Sequence, residues 1–332
     1  MQHPDVILST RNLSVGYRSG KSVTTILHGL DLTLRRGELV CLLGANGIGK
    51  STLLRTLSGV QAPLSGEVTI SGRDMTHYSP KELSRLISIV YTDRTLAGAL
   101  TVNELVSLGR HPYTGFLGRL DHKDRTIISH SLDAVGMRHK ADCHVATLSD
   151  GERQKVMIAR ALAQEAPVII LDEPTAFLDV ASRIDTMRQL HSLACEHGKA
   201  ILLSSHDINC SLSTAGRLWL LRHDRTMSEG VTEDMIMNGE LESLFSDNRK
   251  VSFDRTAGDF HADTEYLHTV SLDCDDTILR HWITNALHRN KIETGNHNSP
   301  INITATSATH ITVNGIPATS ISQMLDMLHA RL

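Results

Sequence analysis

The sequence predicts an α/β fold built on a buried, largely parallel sheet. Three observations carry this: three short apolar runs, a polar cluster closing each run, and helical periodicity between them. The runs are Leu39-Val40-Cys41-Leu42-Leu43, Val168-Ile169-Ile170-Leu171 and Ala200-Ile201-Leu202-Leu203. Each is too short for a helix core, and none alternates polar with apolar, so each reads as a strand covered on both faces. The clusters that follow are 44–52, Asp172-Glu173 and Ser204-Ser205-His206-Asp207. Ligands of open α/β sheets bind beyond the carboxyl ends of the strands, so these clusters converge on one edge.

The chain has 332 residues. At roughly 100–200 residues per domain, that suggests about two domains. Residues 1–248 read as the first, with a polar, His- and Arg-rich helical insertion at about 93–160. Residues 249–332 read as a small α+β domain, possessing a helix stripe over 275–291 with Asp275 or Asp276 as its N-cap, a strand pair over 301–313 and a short amphipathic helix after Thr319 or Ser320. A net charge of −4 argues against nucleic acid as a partner. No stretch approaches the ~18 apolar residues of a membrane span. The five cysteines form no CxxC pair and the first residues do not resemble a signal peptide, which together lead us to expect a cytoplasmic chain.

Gly44-Ala45-Asn46-Gly47-Ile48-Gly49-Lys50-Ser51 fits G-x-x-x-x-G-K-[ST] at every position, after an apolar strand and before a helical segment at 51–57. Glycines let the backbone curl so that successive N–H groups face phosphate oxygens, and the helix start adds its dipole. Lys50 would reach the β- and γ-phosphates, and the Ser51 hydroxyl would ligate Mg²⁺. Asp172 would hold Mg²⁺. Glu173, on the other side of the strand if alternation continues, would be the general base toward water. His206, closing the third run, would contact the γ-phosphate or orient the water and Glu173.

In chain order the motifs are 44–52, Leu148-Ser149-Asp150-Gly151-Glu152-Arg153-Gln154, Leu171-Asp172-Glu173-Pro174-Thr175, Ala176-Phe177-Leu178-Asp179 and Ser204-Ser205-His206-Asp207. Over about residues 5–245 this resembles the nucleotide-binding subunit of ABC transporters, a P-loop NTPase cassette with a mixed sheet core and a helical insertion. The resemblance implies ATP and Mg²⁺ as cofactors, with ATP bound by Tyr17, Gly44, Asn46, Gly47, Gly49, Lys50, Ser51 and Thr52, and Tyr17 stacked on adenine. It implies a head-to-tail homodimer in which Ser149, Gly151 and Glu152 meet the γ-phosphate of the opposite subunit and Asp179 links the two sites. Glu173 and His206 would serve catalysis.

Two departures stand out. The signature reads LSDGE rather than LSGGQ, so that Glu152 puts a carboxylate near phosphate where the family has an amide. The expected strand-end glutamine is missing, leaving Thr92 or Asp93 in its place, with Asp93 a possible Mg²⁺ ligand. The segment Gly109-Arg110-His111-Pro112 is similar to the GRxP element of importers for iron–siderophore complexes, haem and cobalamin. That implies two integral-membrane permease subunits, a solute-binding protein and a peripheral place on the cytoplasmic face of the inner membrane. The alternative is a soluble ABC-type ATPase, such as an iron–sulfur assembly factor. The C-terminal domain would be regulatory or dimer-stabilising; its His281 and His288, seven apart on one helix, are its candidate metal pair.

Overall fold

All three apolar runs are strands of one six-stranded sheet. Its order is Met227–Val231, Arg217–Leu221, Leu39–Gly44, Ala200–Ser205, Val168–Asp172 and Ile87–Val90. Neighbours are parallel, except that the first strand pairs antiparallel with the second. The computed structural model describes residues 6–20, 22–91, 99–115, 118–245, 251–255, 258–262, 265–295 and 299–332. One face of this sheet is covered by helices and the other by the Lys50–Leu57 helix together with an antiparallel sheet, which is why the runs need no polar alternation. The register brings the strand ends level: Leu43 lies opposite Ser205, Asp172 opposite Ser204, and Gly44 opposite Leu221.

A second sheet, antiparallel, is formed by Val6–Ser19 between Ser22–Leu30 and Ser65–Ile70, with Thr33–Arg35 and Arg73–Asp74 added. Its alternating apolar residues, among them Leu8, Leu13, Val15 and Leu27, are buried with Leu42, Leu53, Leu57, Ile170, Leu202 and Trp219. Burying each such side chain contributes about 1.5–3 kcal/mol. The sheet thus carries Tyr17 on a strand anchored to the core that holds the Lys50–Leu57 helix.

Within the helical insertion, three helices begin with one device. Thr101, Asp121 and Ser149 cap Val102–Ser107, His122–Ala134 and Asp150–Ala163, and Glu104, Asp124 and Glu152 reach back to the cap N–H. Each capping box satisfies orphan N–H groups at a helix start. Val102, Leu105, Ile128, Leu132, Val156 and Met157 form the core between these helices.

The Gly109–Pro112 segment leaves His111 exposed and buries its arginine. Arg110 is only 2% exposed. Its Nε donates to Asp124 Oδ1 at 2.8 Å, and one terminal nitrogen donates to Ala163 O at 2.7 Å and Glu165 Oε2 at 2.8 Å. The guanidinium lies over the Tyr113 ring, 4.1 Å from its centroid. Tyr113 donates to Gln164 O, and the Gln164 amide donates to Ile87 O, on the strand that leads out of the core. A Cβ at Gly109 would come 2.3 Å from Arg160 O, so glycine is required for this approach. Burial pushes the Asp124 carboxyl up, and the bonds to Arg110 and Asp121 more than offset it, leaving it below the usual carboxylate range.

The chain divides into two compact units, one of Met1–Asn248 with Phe253–Phe260, the other of Arg249–Ser252 with His261–Leu332. The second unit has a five-stranded sheet in the order Ile292–Gly295, His268–Asp273, Asn302–Ser307, His310–Val313 and Ile316–Ala318. Asp276 caps its Thr277–Arg289 helix through Ile278 N and Leu279 N, and Ser320 caps Ile321–His329. Val270, Ile283, Leu287, Ile303, Ile311 and Leu328 fill its core.

Replacing Arg110 with Met should leave the buried Asp124 carboxylate without its cation, at a cost of about 3 kcal/mol or more. The melting transition of the larger unit should fall by roughly 6–12 °C in differential scanning calorimetry. An unchanged melt would mean that the ion pairs do not hold the insertion.

Candidate active site

The glycine-rich segment 44–49 is the turn between the Leu39–Gly44 strand and the Lys50–Leu57 helix. Gly47 and Gly49 take φ values of 75° and 123°, which other residues adopt at a cost. A Cβ at Gly49 would meet Ile26 Cγ2 at 2.6 Å, and one at Gly44 would meet Leu221 O at 2.7 Å. The helix has no side-chain cap: its N-cap is Gly49, and the first bond to close is Leu53 N to Gly49 O at 2.9 Å. The N–H groups of residues 50–52 therefore have no acceptor within the helix, the arrangement that binds anions. Lys50 is buried, and its Nζ donates to Gly44 O at 2.8 Å and Ala45 O at 3.1 Å. Burial pushes its ammonium below the usual lysine range, against the opposing charges of Glu173 and Asp172.

Tyr17 stands at the rim of this loop. Its hydroxyl and Thr52 Oγ1 are 2.7 Å apart, either one donating, and the residue is 46% exposed. A ring tied at one end to the loop's helix leaves a face for a planar ligand. Asn46, Gly47 and Ser51 are exposed along the loop, whereas Thr52 is buried.

Asp172 ends its strand and accepts from Ser204 Oγ at 2.6 Å through Oδ1. The same Ser204 hydroxyl oxygen accepts from Glu173 N at 2.9 Å. Glu173 has φ 50°, so a left-handed turn sets its direction and strand alternation does not. That corrects the sequence-based reason for its orientation: the strand has already ended. Holding a non-glycine residue there costs on the order of 1–2 kcal/mol, and such strain concentrates at functional positions. His206 Nδ1 lies 3.3 Å from Glu173 Oε1. Lys50, Asp172, Glu173 and His206 thus gather at one sheet edge, with Ser204, to which sequence reading gives no role, joining Asp172 to Glu173. Ser204 was visible only as part of an apolar run's polar end.

The signature residues form a second cluster. Ser149 caps the Asp150–Ala163 helix by accepting from Glu152 N at 3.3 Å. Glu152 bends back, its Oε2 accepting from Ser149 N at 3.1 Å and its Oε1 from Lys140 Nζ at 2.5 Å. The Lys140 bond and then the Ser149 N–H hold its carboxyl below the usual range. Asp179 caps the Val180–Cys195 helix by accepting from Ser182 N and Ser182 Oγ. A Cβ at Gly151 would lie 2.9 Å from that Ser182 Oγ, so the glycine lets the two helix starts meet.

Thr92 and Asp93, the two candidates for the missing glutamine's place, lie outside the described residues. Among the described residues no group of three or more His, Cys, Asp or Glu is placed to hold a metal; His281 packs on Trp282 and His288 on Tyr266. The oxygen donors Ser51 and Asp172 suit a hard cation such as Mg²⁺. Cys41, within the central strand, is buried and its thiol is pushed up to about 12 by that burial, which removes it from chemistry. A cavity of about 540 Å³ opens at the C-terminal end of the Lys50–Leu57 helix, lined in part by Val60, Pro63, Met75, Tyr78, Leu83 and Ile89.

Residues 27–176 match the family model for the ABC transporter. An uncharacterized ABC transporter ATP-binding protein of Methanocaldococcus jannaschii is 39% identical over 254 residues, covering 76% of this chain and 86% of that protein. The ferric enterobactin transport ATP-binding protein of Escherichia coli K12 is 35% identical over 251 residues, covering 76% of this chain and 91% of its own length. Among solved structures, a dimeric ATP-binding cassette in a post-hydrolysis state with ADP and Pi superposes with a TM-score of 0.59 at 28% identity, covering 68% of this chain and 99% of that one.

If the Tyr17 ring is the base platform, Tyr17→Ala should weaken ATP binding by the ~1–3 kcal/mol of a base–aromatic stack, about 5- to 160-fold. Tyr17→Phe, which keeps the ring and loses only a half-exposed hydrogen bond, should stay within roughly fivefold. Titration with a fluorescent ATP analogue reads both; equal affinities for Ala and Phe would remove the platform role.

Proposed function

The chain belongs to the family of ABC transporter ATP-binding proteins, and from that premise we propose that it is the ATP-hydrolysing subunit of an importer for a ferric siderophore or related chelate, with cobalamin or haem as the alternative cargo. The observation that carries the ATPase reading is the uncapped helix start at Lys50 facing the Glu173–His206 pair across one sheet edge. The cargo rests on the likeness to a ferric enterobactin transport protein and on the GRxP-like segment.

The N–H groups of 50–52 receive the triphosphate, and Lys50 exchanges the carbonyls of Gly44 and Ala45 for β- and γ-phosphate oxygens. Tyr17 supports the adenine. Ser51 and Asp172 would hold Mg²⁺, which when bound neutralises phosphate charge. Glu173 accepts a proton from the attacking water, whose oxygen forms the new bond to the γ-phosphorus as the bond to ADP breaks. His206 keeps the Glu173 carboxylate aimed. A second copy, packed head to tail, presents the Ser149–Gly151 turn to the γ-phosphate, with the Glu152 side chain folded back beside it, and Asp179 links the two sites. Two permease subunits fed by a solute-binding protein receive the resulting motion, with this chain peripheral at the cytoplasmic face. No helix among the described residues is long and apolar enough to cross a membrane. Residues 1–248 act as the nucleotide-binding domain and 249–332 as a regulatory or dimer-stabilising one.

Glu173→Gln should bind ATP within a few-fold of the parent and lose turnover by about 10²–10⁴-fold. With ATP it should run as a stable dimer in light scattering; a monomeric ATP complex would count against the sandwich. Lys50→Ala should abolish phosphate release, and unchanged release would mean the phosphate loop is misassigned. Recovery of a polytopic membrane protein in a pull-down from detergent extract separates the importer from a soluble ATPase, which should bring none.

A further inference from the structure

Two carboxylates stand in the first turn of the Asp150–Ala163 helix, at Asp150 and Glu152. They stabilise that helix start, whose dipole is equivalent to about half a positive charge. For the same reason they compete with any anion approaching it. A full negative charge outweighs the half charge of the dipole, so this turn would repel phosphate unless each carboxylate is met by a cation.

Both are met. Asp150 Oδ1 accepts from Arg153 at 3.1 Å, one turn along the same helix. Glu152 is met from outside the signature segment, by Lys140 at 2.5 Å. Lys140 sits on the short Arg138–Lys140 turn that follows the His122–Ala134 helix. The pair is partly exposed, 32% for the lysine side chain and 30% for the glutamate, so its field reaches solvent in front of the helix. The bond to Lys140 and the bond from Ser149 N fold the Glu152 carboxylate back over the cap instead of ahead of it.

We propose that Lys140 is a positioning residue for the phosphate site that this helix offers to a second copy of the chain. It cancels and retracts the Glu152 carboxylate, so that the Ser149–Gly151 turn still accepts the γ-phosphate although glutamate replaces the amide. This rests on the dimeric ATPase reading above. Lys140 acts through Glu152 and makes no contact with nucleotide. The sequence departure at Glu152 and the lysine twelve positions before it are one device.

The test uses the full chain in the Glu173→Gln background, with dimerisation at saturating ATP followed by sedimentation velocity. Lys140→Met should weaken the ATP-dependent dimer on the order of tenfold at about 50 mM salt and only a few-fold at about 0.5 M, because added salt screens a repulsion between exposed charges. Its ATP affinity as a monomer should match the parent, showing an intact fold and phosphate loop. Lys140→Met with Glu152→Gln should restore the dimer to within about twofold, since no uncompensated carboxylate remains. A Lys140→Met dimer as tight as the parent overturns the proposal. So does a loss that Glu152→Gln fails to repair or that ignores salt, either of which places Lys140 in the fold or on the nucleotide itself. Absence of any ATP-dependent dimer in the Glu173→Gln parent overturns the reading beneath, and this inference with it, a result distinct from a dimer that forms regardless of Lys140.

Discussion

The orphan N–H groups at the start of the Lys50–Leu57 helix are the constraint from which the rest of the site follows. Backbone donors that lack an acceptor are costly, and most helices here answer them with a side chain: Thr101, Asp121, Ser149, Asp179, Asp207, Asp276 and Ser320 each cap the helix they precede. Gly49 has no side chain to offer, and its φ of 123° excludes the residues that do. The same glycine lets the loop pass Ile26, and Gly44 lets the strand end press against Leu221 O. Stability at this turn is given up locally and recovered in the apolar core beneath it. What remains is a set of donors without an acceptor in the helix, the arrangement that suits an anion.

Chemistry is laid beside those donors by the level ends of parallel strands. Ser204 is the small part that makes the edge coherent, donating to Asp172 while accepting from Glu173 N. With the strand finished at Asp172, a left-handed Glu173 turns its carboxylate toward His206. The helical insertion is tied to this core through buried charge. Arg110 gathers Asp124, Glu165, Ala163 O and the Tyr113 ring, and Gln164 carries the connection to Ile87 on the edge strand. A buried ion pair is weak evidence for net stability, but it is a strict condition on geometry, since neither partner can leave alone. The signature helix, whose last turn accepts from Arg110, is thereby fixed to the strand that leads toward residues 92–98.

Much of the fold was legible because its signals are local. Leu39-Val40-Cys41-Leu42-Leu43 and its two companions could be read as buried strands without knowing what covers them. The capping residues of the helices in the second unit were narrowed to adjacent pairs, Asp275 or Asp276 and Thr319 or Ser320, and the structure selects Asp276 and Ser320. The antiparallel edge strand Met227–Val231 was not legible; it is partly exposed throughout and has no apolar run. Nor was the burial of Arg110, because a lone arginine beside a proline looks like surface until its partners fourteen and fifty-five positions away are brought to it.

Sequence alone determined which residue types the site would contain and in what order, because the glycine spacing, the paired acids after an apolar run and the capping-box serine are properties of neighbouring positions. Tertiary structure alone decided how those residues serve one another. Ser204 bridges the Asp172 carboxylate and the Glu173 N–H at the end of the next strand, Tyr17 reaches Thr52 from another sheet, and Lys140 answers Glu152 from another turn. Those distances are set by how sheets and helices pack, and charge and hydrogen bonding act through space with no regard for separation along the chain.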